Sequence, residues 1–252
     1  MVRLFVSDID GCLSEPFVPF NLEHLGALRQ LVEAGSASGV PKIPPAFTIC
    51  TGRPLGYAEA MAQALGVTQP FLFEAGAGMF HPQTGVRAWH PDFTEAAARA
   101  VEDIQRWLES LVRGTSMAVD RGKHTQAGVI GADQGEIREA MVRTASFVEA
   151  NHPEFVVAFT PISVDVMMGN LTKAQGLEWL AKETGIPLSE MAFIGDTNGD
   201  LGALRNVGTA FAPANGTEAV RHAAGTVTQG EVSAGVLEAL HLCIERNRTP
   251  AG

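Results

Sequence analysis

Two acidic residues with one residue between them begin the part of the sequence best suited to chemistry. Asp8-Ile9-Asp10-Gly11 follows a short apolar run from Val2 to Val6. In a strand that continues through them, both carboxylates face one side, and Gly11 permits a sharp turn close to a ligand. One carboxylate could then attack phosphorus while the other carries protons. An Asx turn or a helix cap explains the same residues, so the pair alone leaves both interpretations open.

Two further segments place a polar residue directly after a short apolar run. Thr51 and Asp196 each come directly after a short apolar segment, as Asp8 does. Ligands of open parallel sheets bind beyond the carboxyl ends of the strands, so these three residues are expected at one rim. The loop that begins at Asp196 also contains Asp200, which could cap the next helix and still serve a function.

The elements that must position these residues alternate between strand and helix patterns. The helix from Leu22 is expected to be capped by Asn21 and stopped by Gly35, with a loop from Gly35 to Pro45. The strand candidates are Val2–Val6, Phe47–Cys50, Phe71–Phe73, Met191–Ile194 and Thr209–Ala212, and the main helix candidates are Leu22–Ala34, Tyr57–Leu65, Lys173–Thr184 and Val236–Ile244. This alternation predicts an α/β fold with a doubly wound parallel sheet.

The middle of the chain follows another order, which reads helix, two strands, helix, two strands. Its helix candidates are Thr94–Arg113 and a second amphipathic stretch that ends before His152, and its strand candidates are Met117–Val119, Ala127–Ile130, Phe155–Phe159 and Ser163–Met168. This order predicts an α+β domain over residues 82–165, inserted into a core domain that comprises residues 1–81 and 166–252.

Charge and composition exclude several classes of protein. The net charge of the 252 residues is −10, which argues against a nucleic-acid or anionic-membrane partner. No apolar run approaches the roughly 20 residues of a membrane span or the length of a signal peptide. The three cysteines, Cys12, Cys50 and Cys243, form no CxxC pair, which favours reduced thiols and a cytoplasmic location.

Four motifs in order resemble those of the haloacid dehalogenase superfamily. The first is Asp8-Ile9-Asp10-Gly11-Cys12-Leu13, the second is Thr51 within Thr-Gly-Arg, the third is Lys173 at a helix start, and the fourth is Gly195-Asp196 with Asp200. The place of the inserted domain resembles a type C2 cap, and its pattern is similar to the C2B caps of Cof-like sugar phosphatases and mannosyl-phosphoglycerate phosphatases.

The resemblance implies a Rossmann-like core and a magnesium-dependent phosphatase that forms an aspartyl phosphate. It implies Asp8 as the nucleophile, Asp10 as the acid and base, and Thr51 and Lys173 as ligands of the phosphoryl group. The implied set around Mg²⁺ is Asp8, Asp10 through its backbone carbonyl, Asp196, and Asp200 in an outer position. The substrate would be a small phosphorylated metabolite, either a sugar phosphate or a phosphorylated organic acid.

Contacts to the rest of the substrate are less defined by the motifs. Gly52, Arg53 and Asn198 are candidates in the core, although Arg53 could equally form a salt bridge at a helix start. Arg121, Lys123 and His124 are candidates in the inserted domain, where a solvated turn is the alternative.

Two departures from the Cof-like pattern affect the substrate side. Glu74-Ala75 replaces the usual Asn-Gly after the third strand, and Gly199 stands where an Asn usually precedes Asp200. Two other functions share the fold: a phosphomutase, which returns the phosphoryl group to its substrate, and a phosphate-ligand sensor without catalysis. The oligomeric state is left open by the sequence.

Overall fold

The structure is a computed structural model that describes residues 1–36, 43–160 and 162–249. The chain forms two compact units, one of Met1–Ala88 with Lys173–Gly252 and the other of Trp89–Thr172. The second unit thus begins at residue 89 and ends at 172, whereas the sequence places the inserted domain at 82–165. The middle of the loop predicted between Gly35 and Pro45 lies outside the described residues.

Strands and helices follow one another along the described chain. In order they are β1 Leu4–Ser7, α1 Leu22–Ser36, β2 Ala46–Ile49, α2 Leu55–Leu65, β3 Phe71–Phe73, β4 Gly78–His81, β5 Val86–Trp89, α3 Glu95–Leu111, β6 Ala118–Val119, β7 Ala127–Ile130, α4 Gln134–Asn151, β8 Phe155–Thr160, β9 Ser163–Met168, α5 Lys173–Thr184, β10 Met191–Ile194, α6 Leu201–Asn206, β11 Thr209–Ala212, α7 Glu218–Ala223, β12 Thr226–Val227 and α8 Val232–Arg248.

The first unit is built on a parallel sheet of five strands in the order β12-β11-β10-β1-β2. All four residues of β1 are buried, as expected for a strand of a parallel sheet that is covered on both faces. Ser7 at the end of β1 pairs in register with Ile49 of β2 and with Ile194 of β10. The residues that follow these three strands therefore leave the sheet side by side at one edge, with Asp8 in the middle.

The third predicted strand forms, but it does not join the parallel sheet as a full strand. β3 pairs antiparallel with β4 and belongs to a separate sheet in the order β3-β4-β5, and an isolated bridge between Cys50 and Leu72 joins it to the end of β2. The chain reverses after β3 because Gly76 adopts φ +94 and Gly78 leaves room for the ring of Phe73, which would lie 2.3 Å from a Cβ at that position. The alternating sequence pattern could not reveal this reversal.

Helix boundaries follow the capping residues closely. The Asn21 side chain accepts a hydrogen bond of 3.0 Å from the His24 amide and caps α1, as predicted. Gly35 does not stop α1, which continues to Ser36. A Cβ at Gly35 would lie 2.3 Å from the Pro45 carbonyl oxygen, so this glycine serves close packing instead. α5 begins at Lys173 and ends before Gly185, as the sequence predicts.

The second unit contains the predicted order of helix, two strands, helix, two strands. Its antiparallel sheet has the order β6-β7-β9-β8, and apolar residues of α3 and α4 pack with it in one cluster. Thr94 caps α3 by accepting from the Ala97 amide, and Asp133 caps α4. Within residues 1–36, 43–160 and 162–249, none of the helices combines the length and apolar character that a membrane crossing needs.

Candidate active site

Asp8 stands at the centre of a buried polar cluster at the carboxyl edge of the sheet. Its side chain is 7% exposed, and its Oδ2 lies 2.6 Å from Nζ of Lys173. The backbone amide of Ile9 donates a hydrogen bond of 2.7 Å to Asp8 Oδ1. Burial raises the pKa of Asp8 to about 8, although the Lys173 ammonium acts in the opposite direction. One carboxylate oxygen is therefore held by the turn and the other by a cation.

Lys173 reaches this cluster from the first position of α5. Its side chain is 8% exposed, and its Nζ lies 2.6 Å from Asp8 and 2.5 Å from Oδ1 of Asp200. Burial by itself lowers the pKa of Lys173, but the carboxylates of Asp200 and Asp8 outweigh it, and the net direction is upward. Lys173 is therefore a buried ammonium between two acids and not a solvated lysine at a helix start.

Asp200 anchors the acidic loop after β10. Its Oδ2 accepts hydrogen bonds of 3.0 Å from the amides of Asp196 and Thr197, while its Oδ1 accepts from Lys173. A Cβ at Gly195 would lie 2.4 Å from Cγ of Asp200, so glycine is required for this fit. Both oxygens of Asp200 accept hydrogen bonds from protein donors, which suits a residue that holds the loop in place.

Asn198 occupies the exposed side of the same loop. Its Oδ1 accepts a hydrogen bond of 3.2 Å from the Thr217 hydroxyl, at the start of α7. Gly199, the second departure from the Cof-like pattern, is also exposed. No described contact joins Asn198 to Asp8 or to Lys173, so the structure does not bring this candidate together with the others.

Asp196 has the features of a cation ligand. Carboxylate oxygens of Asp8, Asp196 and Asp200 lie within 4.8 Å of one another. Oδ1 of Asp196 is buried and lacks a hydrogen-bond partner within the described part of the chain. Burial raises the pKa of Asp196 to about 7, and the Asp200 carboxylate adds to the rise. A buried carboxylate oxygen without a donor, in a group of three acids, fits a hard divalent cation such as Mg²⁺.

Gly11 makes room for that acid. Its φ is +70, and a Cβ there would lie 1.9 Å from Oδ2 of Asp196. The glycine of the first motif is therefore needed twice, once for the left-handed turn and once for the close approach of Asp196.

Asp10 forms an ion pair with Arg53. Its Oδ2 accepts from Nε of Arg53 at 2.6 Å, and its Oδ1 accepts from Nη2 at 2.7 Å. The strand on which Asp8 and Asp10 would share one side does not continue through them, because β1 ends at Ser7. The salt bridge foreseen for Arg53 is present, and its partner is Asp10.

Thr51 and Gly52 lie in the loop after β2. Thr51 is fully buried, and its hydroxyl accepts a hydrogen bond of 3.2 Å from the Arg53 amide. A Cβ at Gly52 would meet no atom within 4 Å, so the backbone borders open space there. Because β2 is the neighbour of β1, this loop emerges beside Asp8.

The loop that departs from Asn-Gly supports the Thr51 loop through its backbone. Glu74 and Ala75 adopt φ values of +48 and +57, which side chains rarely tolerate. The Glu74 amide donates to the Arg53 carbonyl at 3.0 Å, and the Ala75 amide donates to the Thr51 carbonyl at 2.8 Å. The left-handed conformation explains why Asn-Gly is common here, since both residues enter it readily. In this chain the loop keeps that conformation without the glycine.

Asn215 is a supporting residue that the sequence analysis missed. Its Nδ2 donates to the Gly11 carbonyl at 2.9 Å, and its Oδ1 accepts from the Val232 amide at 2.8 Å. It thereby ties the turn of the first motif to the start of α8. The Asn-Gly dipeptide that it forms with Gly216 predicts a turn, but nothing local indicates a contact 204 residues away.

The three candidates in the second unit have partners within that unit. Arg121 lies 2.7 Å from Glu109 on the surface, and Lys123 lies 2.6 Å from Asp165. The His124 ring stacks on Trp89 with centroids 4.5 Å apart. These contacts give no evidence that Arg121, Lys123 or His124 binds a substrate.

Comparisons with known proteins agree on one family. A family profile described as haloacid dehalogenase-like hydrolase matches residues 117–240. A phosphoglycolate phosphatase from Natronomonas pharaonis is 29% identical over 240 residues, which cover 95% of this chain and 97% of that protein.

Solved structures show the same fold. A Thermoplasma acidophilum protein superposes with a TM-score of 0.77 and 19% identity, over 96% of this chain and 98% of the other. A Synechocystis sucrose-phosphatase, solved with sucrose and phosphate, gives a TM-score of 0.65 and 14% identity over 96% and 98% of the two chains. At these identities the structural likeness concerns the fold alone.

Proposed function

The chain belongs to the haloacid dehalogenase superfamily and is a phosphatase of that type, and we propose that it is a magnesium-dependent phosphomonoesterase with Asp8 as its nucleophile. The observation that carries this proposal is the pairing of Asp8 with Lys173, both buried, with Nζ 2.6 Å from Oδ2. A buried carboxylate beside a fixed ammonium can approach a phosphoryl group, because the ammonium offsets the repulsion between the two anions.

Asp8 would attack phosphorus in line and form an aspartyl phosphate as the P–O bond to the leaving group breaks. The Lys173 ammonium and the Thr51 hydroxyl would hold phosphoryl oxygens during this step. Asp10 would give its proton to the leaving oxygen and later take one from the water that releases phosphate. Asp8 must be ionised to attack, so its raised pKa calls for further positive charge at the site.

Mg²⁺ would be held by Asp8, by Asp196 through its unpartnered oxygen, and by the backbone carbonyl of Asp10. When bound, the cation supplies positive charge to the carboxylates and to the phosphoryl group. Asp200 would stay in its anchoring position, because its oxygens already accept from Lys173 and from two amides.

A phosphorylated organic acid is the substrate class that we favour. Relatives that align over nearly the whole chain carry the name phosphoglycolate phosphatase, and 2-phosphoglycolate is a small phosphoester with a carboxylate. The likeness to sucrose-phosphatase concerns the fold, so it gives a sugar phosphate less support. Among the core candidates for substrate contacts, Arg53 is favoured over Asn198, whose Oδ1 is engaged by Thr217; Gly52 would offer backbone contacts beside the open space.

The test is phosphate release from a panel of phosphorylated acids and sugar phosphates, with Mg²⁺ and with a chelator. We expect Mg²⁺-dependent release from 2-phosphoglycolate by the wild type and no release by Asp8→Asn. Asp92→Asn is the matched control, because it removes the charge of an exposed acid of the second unit. Silence across the panel, or activity in Asp8→Asn, would contradict the proposal. Isomerised sugar phosphate without net phosphate release would indicate a phosphomutase instead.

A further inference from the structure

The ion pair between Arg53 and Asp10 lies where a ligand can reach it. The guanidinium donates to both carboxylate oxygens, at 2.6 and 2.7 Å, in the bidentate geometry that suits this pair of groups. The two side chains are 25% and 32% exposed, in contrast to the buried pair of Asp8 and Lys173. Arg53 therefore presents an accessible fork that is filled by a carboxylate of the protein itself.

This pair conflicts with the role proposed for Asp10. A group that gives a proton to the leaving oxygen must turn one of its oxygens toward the substrate, yet both oxygens of Asp10 accept from Arg53. An Asp10 side chain that rotates toward the ester oxygen must break this bidentate pair. Opening it without a replacement leaves a guanidinium and a carboxylate without their charge-assisted bonds, whereas exchange of one carboxylate for another conserves the bonds of the guanidinium.

The aromatic rings around Arg53 keep its guanidinium in place when the partner changes. The Arg53 Cζ lies 4.6 Å from the ring centroid of Tyr57 and 5.8 Å from that of Phe17. Contacts of a guanidinium with aromatic faces are attractive and do not use its N–H donors. The rings thus keep the fork oriented while its N–H groups donate to a different carboxylate.

The position of the fork selects the kind of leaving group. Asp10 would contact the ester oxygen, and Arg53 contacts Asp10, so the guanidinium stands next to the first atoms of the leaving group. We propose that Arg53 binds a substrate carboxylate close to the ester oxygen, which displaces Asp10 from the fork and frees it to act on that oxygen. This assignment rests on the proposed phosphatase function. It makes substrate recognition and the release of Asp10 one event, and it restricts efficient hydrolysis to phosphoesters whose leaving group carries a nearby carboxylate.

The test compares two esters that differ in that carboxylate, 2-phosphoglycolate and ethyl phosphate, on the wild type and on Arg53→Gln and Arg53→Lys. For Arg53→Gln we expect kcat/KM for 2-phosphoglycolate to fall about 100-fold, as for the loss of charge-assisted hydrogen bonds. For ethyl phosphate we expect kcat/KM to stay equal or rise, because Asp10 is already released. Arg53→Lys should keep part of the preference, since it retains the charge without the fork. Arg29→Gln, which removes an exposed arginine of α1, should leave both values unchanged.

The outcomes separate this assignment from the phosphatase function itself. p-Nitrophenyl phosphate, whose leaving group needs no proton, reports whether the nucleophile works in each variant. If Arg53→Gln hydrolyses it normally but loses activity equally on 2-phosphoglycolate and ethyl phosphate, Arg53 does not select the carboxylate and the assignment is overturned. Equal wild-type preference for the two esters overturns it as well. A wild type that is inactive on all three esters overturns the proposed function, and the assignment with it.

Discussion

Replacement of Lys173 by methionine should destabilise the metal-free protein more than almost any other single substitution on α5. The change removes the ammonium and keeps much of the apolar side chain, so the loss is mainly electrostatic. It leaves the carboxylates of Asp8 and Asp200, which are 7% and 0% exposed, without their common cation at 2.6 and 2.5 Å. Removal of one partner from a buried ion pair typically costs about 3–5 kcal/mol, and here one cation serves two acids.

Protonation sets the size of this effect at each pH. The pKa of Asp8 is raised to about 8 even with Lys173 present, so near pH 6 Asp8 is neutral in both proteins and the loss falls mainly on Asp200. We therefore expect a loss of about 3 kcal/mol near pH 6, at the low end for buried pairs. Above pH 8 the wild-type Asp8 ionises beside Lys173, whereas the variant must keep this acid neutral. The loss should therefore grow with pH by up to about 1.4 kcal/mol per unit.

The assay is urea unfolding of both proteins at several pH values, with a chelator and with excess Mg²⁺. Mg²⁺ should restore part of the lost free energy of unfolding, because it brings positive charge to the same acids. Lys182→Met is the control, since Lys182 is an exposed residue of the last turn of α5 and should change stability by no more than about 0.5 kcal/mol. A Lys173→Met variant as stable as the wild type at high pH without metal would refute the reasoning.

Three further predictions follow from the site. In the metal-free protein the pKa values of Asp8 and Asp196 are raised from 3.8 to about 8 and 7. The folded state therefore holds protons that the unfolded state releases, and stability falls as pH rises through this window. Mg²⁺ displaces these protons, so its increment in Tm should be larger at pH 8.5 than at pH 6; an increment independent of pH would contradict this. Ala75→Gly should raise the free energy of unfolding by about 1 kcal/mol, since glycine adopts φ +57 without strain; a lower Tm in thermal denaturation would count against it. Asn215→Ala should cost about 1–2 kcal/mol, because the Gly11 carbonyl and the Val232 amide each lose a partner. It should also lower kcat, and an unchanged melting curve and rate would show that the tie is dispensable.

The sequence predicted those parts of the molecule whose cause is local. The strands that end before Asp8, Thr51 and Asp196 are short apolar runs, and their shared edge follows from the rule that parallel strands end together. The cap of α1 likewise depends on Asn21, the residue directly before the helix. The reversal after β3 was not predictable, because it depends on how Phe73 fills the space beside Gly78.

The site contacts that the sequence did not predict join residues far apart in the chain. The sequence predicts that Lys173 begins a helix. Only the packing of α5 shows that its side chain reaches Asp8, which lies far earlier in the chain. Asp10 and Arg53 are 43 residues apart, and each has a plausible local role by itself. The residue types identify the two cations and the acids as candidates. Which cation pairs with which acid depends on side-chain directions that only the folded chain defines.

Burial distinguishes the roles of the two cations in the site. Each stands against a carboxylate, so an acidic protein can keep both in place before an anionic substrate arrives. The Lys173 pair is almost fully buried, and its separation would leave the ammonium without its partner in a medium of low dielectric constant, so we expect the pair to stay closed. The Arg53 pair is a quarter to a third exposed, and solvent lowers the free energy of its opening. The same type of contact therefore fixes the nucleophile in one case and permits exchange with the substrate in the other.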